Sequence, residues 1–177
     1  MTTSTATRST VREVALRGMA IMKDGSVEDF ERLIHPEFLN HEAHEEPPDA
    51  RRPGPAGAYA TALWLREAFA GLDWQVHATV TEGDLCVVHC TMSGRHVAPF
   101  AQFGPDGDVL QAMPPTGRPF AVTQTHWLRV RDGRVVEHWA NRDDIGMALQ
   151  LGWIPPDADL IARTATATAA ARERYAR

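Results

Sequence analysis

Residues 120–144 read FAVTQTHWLRVRDGRVVEHWANRDD, and this stretch decides the fold. Two runs rich in Val, Thr and aromatic residues flank the tetrapeptide RDGR at 131–134, whose Asp-Gly step is a strong signal for a tight hairpin turn. The pattern therefore predicts two long antiparallel strands. The second strand finishes in Asp143 and Asp144, so it either runs out into solvent or carries an acid into a pocket.

Helical patterns precede the strands. Apolar residues at helical spacing predict helices over about 9–22, 26–34 and 56–70. From about 72 to 143 the period changes to two, which predicts a curved antiparallel sheet. Helices segregated to one side of such a sheet define the α+β class, and a strongly curved sheet around helices forms a cone with a blind cavity. Strict alternation places one set on a single face: Leu72, Trp74, Val76, Ala78 and Val80.

Three further segments complete a chain that we expect to form a single domain over residues 1–177, with a core at about 10–156. The Pro-rich, charged insert at 42–55 predicts a loop, and residues 99–116 predict a small hairpin or flap with GPDG as its turn. The C-terminal 157–177 has helical propensity but little apolar periodicity. It is either a docked helix or a mobile extension.

Composition narrows the class of protein. Hydrophobic residues make up 44% of the 177 and charged residues 23%, an ordinary balance for a soluble globular chain. A net charge of −5 argues against a general nucleic-acid binder. No apolar run approaches the length of a membrane span, and the N-terminus lacks the apolar core of a secretory signal, so we expect a cytoplasmic protein.

Cysteine and histidine spacing gives no sign of a disulfide or a metal centre. Cys86 and Cys90 lie on one predicted strand, about 13 Å apart, which is too far for a disulfide, and they are interpreted as small buried hydrophobic residues. The run HEAHEE at 41–46 has the spacing HExH, not the HExxH of a zinc-binding helix. We predict no metal and interpret the run as a solvated loop.

Two polar residues interrupt an apolar strand face. The face comprises Phe120, Val122, Gln124, His126, Leu128 and Val130. Burying Gln124 and His126 is costly unless they have partners, so they are candidate pocket residues. On the next strand, a period of two groups Trp139, Asn141 and Asp143, and hairpin pairing is expected to bring them beside His126. An acid there would suit acid–base chemistry; alternatively, Asp143 or Asp144 caps the helix predicted to follow.

The C-terminal segment GRVVEHWANRDDIGMALQLG resembles the signature of the SnoaL-like polyketide cyclases, also called ester cyclases. That signature is roughly E-x-W-x-x-x-D-x-x-G-x-x-x-Q-L-G. The matching residues are Glu137, Trp139, Asp143, Gly146, Gln150, Leu151 and Gly152. NH at 40–41, GRH at 94–96, PTG at 115–117 and QTHWLRV at 124–130 are also similar to this family.

The resemblance implies a fold like nuclear transport factor 2 and an intramolecular aldol ring closure without metal or organic cofactor. It implies that Asp143 is the general acid/base, that His126 and Gln124 orient substrate oxygens, and that Asn40 and His41 line the pocket. Other candidates for substrate binding are His96, Trp64, Phe120, Trp139 and Asn141.

The expected partner is a small, hydrophobic, oxygenated molecule, with neither nucleic acid nor membrane. Strands with apolar residues on both faces, such as CVVHCTM at 86–92, predict a homodimer or larger assembly that covers the outer sheet face. The alternative function is a non-catalytic ligand-binding protein, or a hydrolase or hydroxylase on the same fold, because a fold does not fix a reaction. The insert at 42–55 flanks the expected pocket mouth and leaves the substrate open.

Overall fold

Helices with well-formed N-terminal caps begin the part of the chain that this computed structural model describes, residues 10–176. Helix α1 spans Val11–Asp24 and α2 spans Val27–Leu33, and each starts with a capping box, in which side chain and backbone bond reciprocally. Helix α3 spans Pro55–Ala68, with proline in its first turn, where no N–H is needed. The three predicted helices are confirmed, and their ends shift by no more than two residues.

Seven strands within residues 10–176 form two sheets. In chain order they are β1 Ile34–Asn40, β2 Phe69–Glu82, β3 Leu85–His96, β4 Phe100–Phe103, β5 Val109–Met113, β6 Pro119–Arg131 and β7 Arg134–Arg142. The main sheet has the order β1-β7-β6-β3-β2, and its last four strands are antiparallel, as predicted. Strand β1 instead runs parallel to β7, because it enters the sheet directly from α2 and not through a hairpin.

A bulge in β2 overturns the predicted alternation on that strand. Val76 pairs with Cys90, but Ala78 pairs with the next residue, His89, so one extra residue is inserted. A bulge exchanges the faces of all residues beyond it. The prediction that Val80 shares a face with Leu72 is therefore wrong: Leu72 is 3% exposed and Val80 is 66% exposed.

A second bulge, in β7, has the same effect on the candidate site. Val130 pairs with Val135, whereas Arg129 pairs with Glu137, so Val136 is the extra residue. Beyond it His138, Ala140 and Arg142 face the concave side, opposite Leu128, His126 and Gln124 in turn. The prediction that Trp139 and Asn141 lie beside His126 is wrong, since they pair with Trp127 and Thr125 on the outer face.

The core lies between the helices and the concave face of the sheet. Its fully buried members include Val14, Phe30, Ala62, Val88 and Val135. Each large apolar side chain of this kind contributes roughly 1.5–3 kcal/mol on burial. The helix α1 approaches β7 so closely at Gly18 that a Cβ there would lie 2.8 Å from a methyl group of Val135. The predicted burial of Cys86 and Cys90 is confirmed, and both thiols are free.

The segments after β7 are helical and pack on the rest of the fold. After β7, helix α4 spans Asp144–Leu151 and α5 spans Ala158–Tyr175. Strands β4 and β5 form the predicted hairpin, and α5 docks on it: the backbone N–H of Ala112 donates to Thr168 at 2.9 Å. Of the two alternatives for this segment, the structure has the docked helix, with Ala167, Ala171 and Tyr175 packed against the hairpin. Among residues 10–176, no helix is both long and apolar enough to cross a membrane.

Candidate active site

A cavity of about 580 Å³ lies between the helices and the concave face, within the size range of small-molecule sites. Most of its wall is apolar. Representative wall residues are Met19, Phe38, Leu65, Met92, Trp153 and Ile161, which come from helices, sheet and the segments after β7. The insert at 42–55 contributes Glu42, Glu45 and Glu46 to the lining, so it borders the cavity as its position in the sequence predicted.

Gln124 and His126, which are 4% and 7% exposed, have hydrogen-bond partners inside this apolar wall. The indole N–H of Trp74 donates to Oε1 of Gln124 at 3.3 Å, and Nε2 of His126 lies 2.9 Å from the same oxygen. The amide nitrogen of Gln124 points to the sulfur of Met92 at 3.1 Å. These contacts offset the cost of burying both side chains.

The hydrogen bonds continue from His126 across β7 to β1. Nδ1 of His126 lies 2.9 Å from Nε2 of His138, and Nδ1 of His138 lies 2.9 Å from Oδ1 of Asn40. The amide of Asn40 donates to Glu46 at 3.2 Å, and the hydroxyl of Thr61 donates to the other oxygen of that carboxylate. We name this connected set the polar chain: Trp74, Gln124, His126, His138, Asn40, Glu46 and Thr61.

Burial sets the protonation states along the polar chain. Burial, assisted by the positive charge of Arg142, lowers the pKa of His126 to about 4. The pKa of His138 lies well below its ordinary value for the same first cause, with further lowering by His126, Arg142 and His41. Burial also raises the pKa of Glu46, although the hydroxyl of Thr61 opposes this shift. Both imidazoles are therefore uncharged at neutral pH.

Charged side chains gather at the rim of the cavity. Arg142 lies 3.6 Å from the carboxylate of Glu42 and 3.7 Å from that of Asp144. Asp144 also lines the cavity, although 73% of its side chain is exposed. Desolvation raises the pKa of its carboxyl, and Arg142 opposes the shift. The rim thus holds one guanidinium among carboxylates.

The structure brings four of the predicted site residues together. Gln124, His126, Asn40 and Trp64 all line the cavity, and the indole of Trp64 donates to the carbonyl of Ala101 at 2.9 Å. The other predicted residues lie elsewhere, and each has a structural role that explains its position.

Asp143 is exposed and caps α4. Its Oδ1 accepts a hydrogen bond from the backbone N–H of Gly146 at 2.8 Å. A Cβ at position 146 would lie 2.1 Å from the other oxygen of Asp143, so this cap requires glycine there. The expected placement beside His126 is not what the structure shows, since it is Asp144 that reaches the cavity lining. The acid/base role of Asp143 stays a prediction.

His41 and Trp139 stack on each other on the outer side of the sheet. Their ring centroids are 4.5 Å apart and the planes differ by 3°. Asn141 lies on the same outer face and, with Trp139, borders a shallow depression there. The expectation that these three residues line the cavity is wrong. The bulge at Val136 turns Trp139 and Asn141 to the outer face, and His41, just after β1, stacks on Trp139 there.

His96 and Phe120 belong to the packed interior behind the cavity. The His96 side chain is 0% exposed and packs against Phe69 and Trp153, with ring centroids 5.4 and 5.2 Å away. Burial lowers the pKa of His96 to about 4. Phe120 is 3% exposed in the cluster around Leu72. Neither residue is part of the cavity lining of the described chain, which corrects their prediction as substrate contacts.

Sequence reasoning missed His138, Arg142 and Glu46. His138 and Arg142 have the parity opposite to the predicted face of β7, so an undetected bulge concealed them. Glu46 lies in a Pro-rich, charged insert that is typical of a solvated loop, yet it is 4% exposed. Three carboxylates in five residues, 42–46, were the available signal.

Comparison with known proteins assigns the family. The family described as SnoaL-like polyketide cyclase matches residues 12–151. The chain belongs to this family. It is 32% identical over 155 residues to the aklanonic acid methyl ester cyclase DnrD of Streptomyces peucetius, covering 84% of this chain and 97% of DnrD. It is 29% identical over 134 residues to the nogalonic acid methyl ester cyclase of Streptomyces nogalater, covering 75% of this chain and 90% of that cyclase.

Solved structures agree with this SnoaL-like assignment. IdmH of Streptomyces antibioticus superposes with a TM-score of 0.61 at 29% identity, over 81% of this chain and 99% of IdmH. TsrD of Streptomyces laurentii gives a TM-score of 0.63 at 25% identity, over 80% of this chain and 94% of TsrD. The α+β cone resembling nuclear transport factor 2 is therefore confirmed.

The C-terminal signature of this SnoaL-like chain is a docking module for α4. Asp143 caps the helix, and the amide of Gln150 exchanges two hydrogen bonds, of 2.8 and 3.0 Å, with the backbone of Ala121. Leu151 is fully buried, and Gly152 ends the helix in the left-handed conformation, with φ of 74°. The signature residues thus fix α4 against β6, whereas the polar chain lies in the cavity.

Proposed function

We propose that this protein closes a ring in a polyketide ester by an intramolecular aldol reaction that needs no metal and no organic cofactor. The observation that carries the proposal is the polar chain buried in an otherwise apolar cavity, with His126 and Gln124 at its centre. Membership in the SnoaL-like family and the activities named for the two Streptomyces cyclases support it.

An aldol closure requires three catalytic functions, and the cavity contains a group for each. A base must take a proton from carbon next to a carbonyl, donors must stabilise the enolate oxygen, and an acid must protonate the new alkoxide. His126 is a neutral imidazole that can accept or return a proton, and the amide of Gln124 is a neutral donor. Arg142 at the rim adds positive charge that favours an enolate.

The proposed substrate is the methyl ester of a polyketide-derived acid. The cyclases of Streptomyces peucetius and Streptomyces nogalater are named for aklanonic acid methyl ester and nogalonic acid methyl ester. An esterified carboxyl suits this cavity because it brings no charge into an apolar wall lined by Met19, Phe38 and Met92. Carboxylates at the rim, among them Glu42 and Glu45, would repel the free acid.

The group that touches the substrate is proposed to be His126, with Asp144 assisting at the rim. His126 and Asp144 both line the cavity, and desolvation raises the pKa of the Asp144 carboxyl. A carboxyl with a raised pKa transfers protons more readily near neutral pH. The competing prediction for Asp143 is tested by comparing Asp143→Asn with Asp144→Asn.

The assay offers both named methyl esters to the purified protein and follows isomers by liquid chromatography and mass spectrometry. Cyclisation leaves the mass unchanged and shifts retention and absorbance. The variant His126→Gln should lose on the order of a hundred- to ten-thousand-fold in rate, as expected for a lost acid–base group. His89→Gln on the exposed face of β3 is the matched control. Saturable binding without conversion would instead support the ligand-binding alternative.

A homodimer built on the outer sheet face is part of the proposal. Four residues form one row across that face through successive strand pairs: Val80, Val87, Trp127 and Trp139. Val80 is 66% exposed and Trp127 is 37% exposed, so the row presents apolar surface to solvent in the single chain. Apolar patches on a sheet face mark protein contacts.

The cytoplasm is the proposed location. Cys86 and Cys90 are both free thiols, which suits a reducing compartment. Fractionation of the native host, with a periplasmic or secreted marker as the control, tests this assignment.

A further inference from the structure

Two fixed hydrogen-bond acceptors enclose the histidines of the polar chain. The indole N–H of Trp74 can only donate, so it identifies the atom of Gln124 beside it as the carbonyl oxygen, which is also the neighbour of Nε2 of His126. At the other end, the backbone N–H of Glu42 donates to Oδ1 of Asn40 at 3.2 Å. Nδ1 of His138 faces this same oxygen. Both ends of the His126–His138 pair therefore face acceptors.

The number of protons does not match the number of contacts. Three contacts must be filled: Gln124 with His126, His126 with His138, and His138 with Asn40. Each of these three contacts needs one N–H as a donor. Two neutral imidazoles carry only one N–H each, two in total, so one donor is missing. One contact is therefore left with two lone pairs facing each other, which is unfavourable in a buried site. One added proton would fill all three contacts.

Reversing either side-chain amide does not remove this mismatch. A reversed Gln124 would place its NH2 group against the indole N–H of Trp74. A reversed Asn40 would place its NH2 group against the backbone N–H of Glu42 and its oxygen against the carboxylate of Glu46. Each reversal replaces one unfavourable contact by at least one other.

At rest the pair lacks this third proton. Burial and the positive charge of Arg142 keep both imidazoles neutral, as described above. Other titratable groups near the pair are His41 on its outer side, Glu46 beyond Asn40, and the rim carboxylates Glu42 and Asp144. The site is thus poised to gain one proton when a negative charge appears in the cavity.

We propose that His126 and His138 act as one proton-holding pair, which takes up the proton lost by the substrate carbon and returns it to the new alkoxide. This inference rests on the proposed aldol function. When both rings carry their N–H on Nδ1, Nε2 of His126 presents a lone pair toward the oxygen of Gln124. In the proposed step the bound substrate displaces the Gln124 oxygen from this Nε2. The substrate C–H bond then breaks, its proton moves to Nε2, and its electron pair forms the enolate.

The later steps restore the starting state. The enolate carbon bonds to the ketone carbon, and the electron pair of that carbonyl becomes an alkoxide. The alkoxide takes the proton from Nε2 of His126, so the pair ends with two protons, as it began. The pair is positively charged only while the substrate is negatively charged, so the interaction is strongest in the reaction itself and weak in the resting state.

The variant His138→Gln separates proton holding from mere positioning of His126. A glutamine NH2 group has two N–H bonds, which can serve Nδ1 of His126 and Oδ1 of Asn40 together. His126 then keeps its orientation with its own N–H on Gln124, and no contact lacks a proton. Proton holding predicts that kcat falls at least on the order of a hundredfold while KM changes little. Retained kcat would overturn the proposal and leave His138 a positioning role.

A second variant, at Asn40, tests the same proton count by changing the contact of His138. Asn40→Leu removes the acceptor beyond His138 at nearly constant volume, which leaves two contacts for two protons. Asn40→Leu should lower kcat, as His138→Gln does. His89→Gln, on the exposed face of β3, should leave kcat unchanged. A fully active Asn40→Leu protein would contradict the proton count.

Nitrogen-15 NMR of histidine-labelled protein without substrate tests the pair independently of any turnover. On acidification, the ring nitrogens of His126 and His138 should shift together at one midpoint and take up one proton between them. Two separate midpoints, or a His126 titration unchanged in His138→Gln, would overturn the proposal. If the two methyl esters are not converted while the shared titration is observed, the proposed substrate is wrong and the pair stands.

Discussion

The carboxylate of Asp143 accepts a hydrogen bond from the backbone N–H of Gly146 at 2.8 Å, at the start of α4 and outside the cavity lining. Its neighbour Asp144 reaches that lining and lies 3.7 Å from Arg142. The two adjacent carboxylates therefore have different contacts, although the family resemblance favours Asp143 as the acid/base and the sequence favours Asp144 as a cap.

The first prediction compares Asp143→Asn with Asp144→Asn. Asparagine is as good a helix cap as aspartate, so Asp143→Asn should leave stability and rate close to wild type, whereas Asp143→Ala should cost about 0.5–2 kcal/mol of stability. Asp144→Asn removes a titratable group from the cavity rim and should lower the rate by about tenfold or more. Steady-state rates and urea unfolding of the four proteins, wild type included, measure both effects.

The opposite result would restore the interpretation based on the signature. If Asp143→Asn loses at least about a hundredfold in rate and remains folded, the signature aspartate reaches the substrate during turnover. The cap would then be only one of its two roles.

Element types were predictable from the sequence because local signals and packing agree. Capping boxes at Thr10 and Ser26, the Asp-Gly turn before β7 and the long alternating strands each favour the element that forms. The parallel pairing of β1 was not predictable, since a seven-residue strand that follows a helix carries no signal for its partner.

The sequence could not predict which sheet face a residue occupies once the strand has passed a β-bulge. Each bulge inserts one residue without a clear signature, and each reverses the parity of the strand after it. One bulge moved Val80 to the outer face, and the other exchanged Trp139 and Asn141 for His138 and Arg142 in the cavity wall. Gln124 and His126 precede any such interruption on β6, so their prediction as pocket residues holds.

The second prediction concerns the apolar row on the outer face. Trp127 lies between Val87 and Trp139 across three strands, and Val80 extends the row to β2. If the row is a dimer interface, Val80→Glu with Trp127→Glu should shift the protein from dimer to monomer, because a buried unpaired charge costs several kcal/mol. Light scattering at micromolar concentration measures the mass. Leu149→Glu, an exposed site on α4, is the control. A wild-type monomer would contradict the prediction.

The third prediction concerns thiol reactivity. Burial raises the pKa of Cys90 to about 11, and both cysteines are 0% exposed. Only the thiolate reacts quickly with disulfide reagents, so the native protein at pH 8 should react far more slowly than the unfolded chain. A colorimetric thiol assay with and without denaturant measures this. Two thiols that react at once under native conditions would mean that the core around β3 opens readily.

The fourth prediction concerns the pH dependence of stability at His96. Burial holds the pKa of this histidine at about 4, below the ordinary value of 6.5, and its Nε2 lacks a hydrogen-bond partner in the described structure. The unfolded chain binds a proton here below pH 6.5, whereas the folded chain does not until about pH 4. The stability that neutral His96 contributes is therefore complete above pH 6.5 and is lost as the pH falls toward 4.

The shift corresponds to roughly 3 kcal/mol at most, at about 1.4 kcal/mol for each pH unit. His96→Phe keeps an aromatic ring between Phe69 and Trp153 and removes the titratable group. Urea unfolding at pH 7.5 and pH 5 should show a smaller loss of stability on acidification for this variant than for wild type, and His89→Phe, at an exposed position, should follow wild type. KM should stay unchanged, because His96 lies behind the cavity wall and not in it. A raised KM with an unchanged pH dependence would return His96 to the list of substrate contacts.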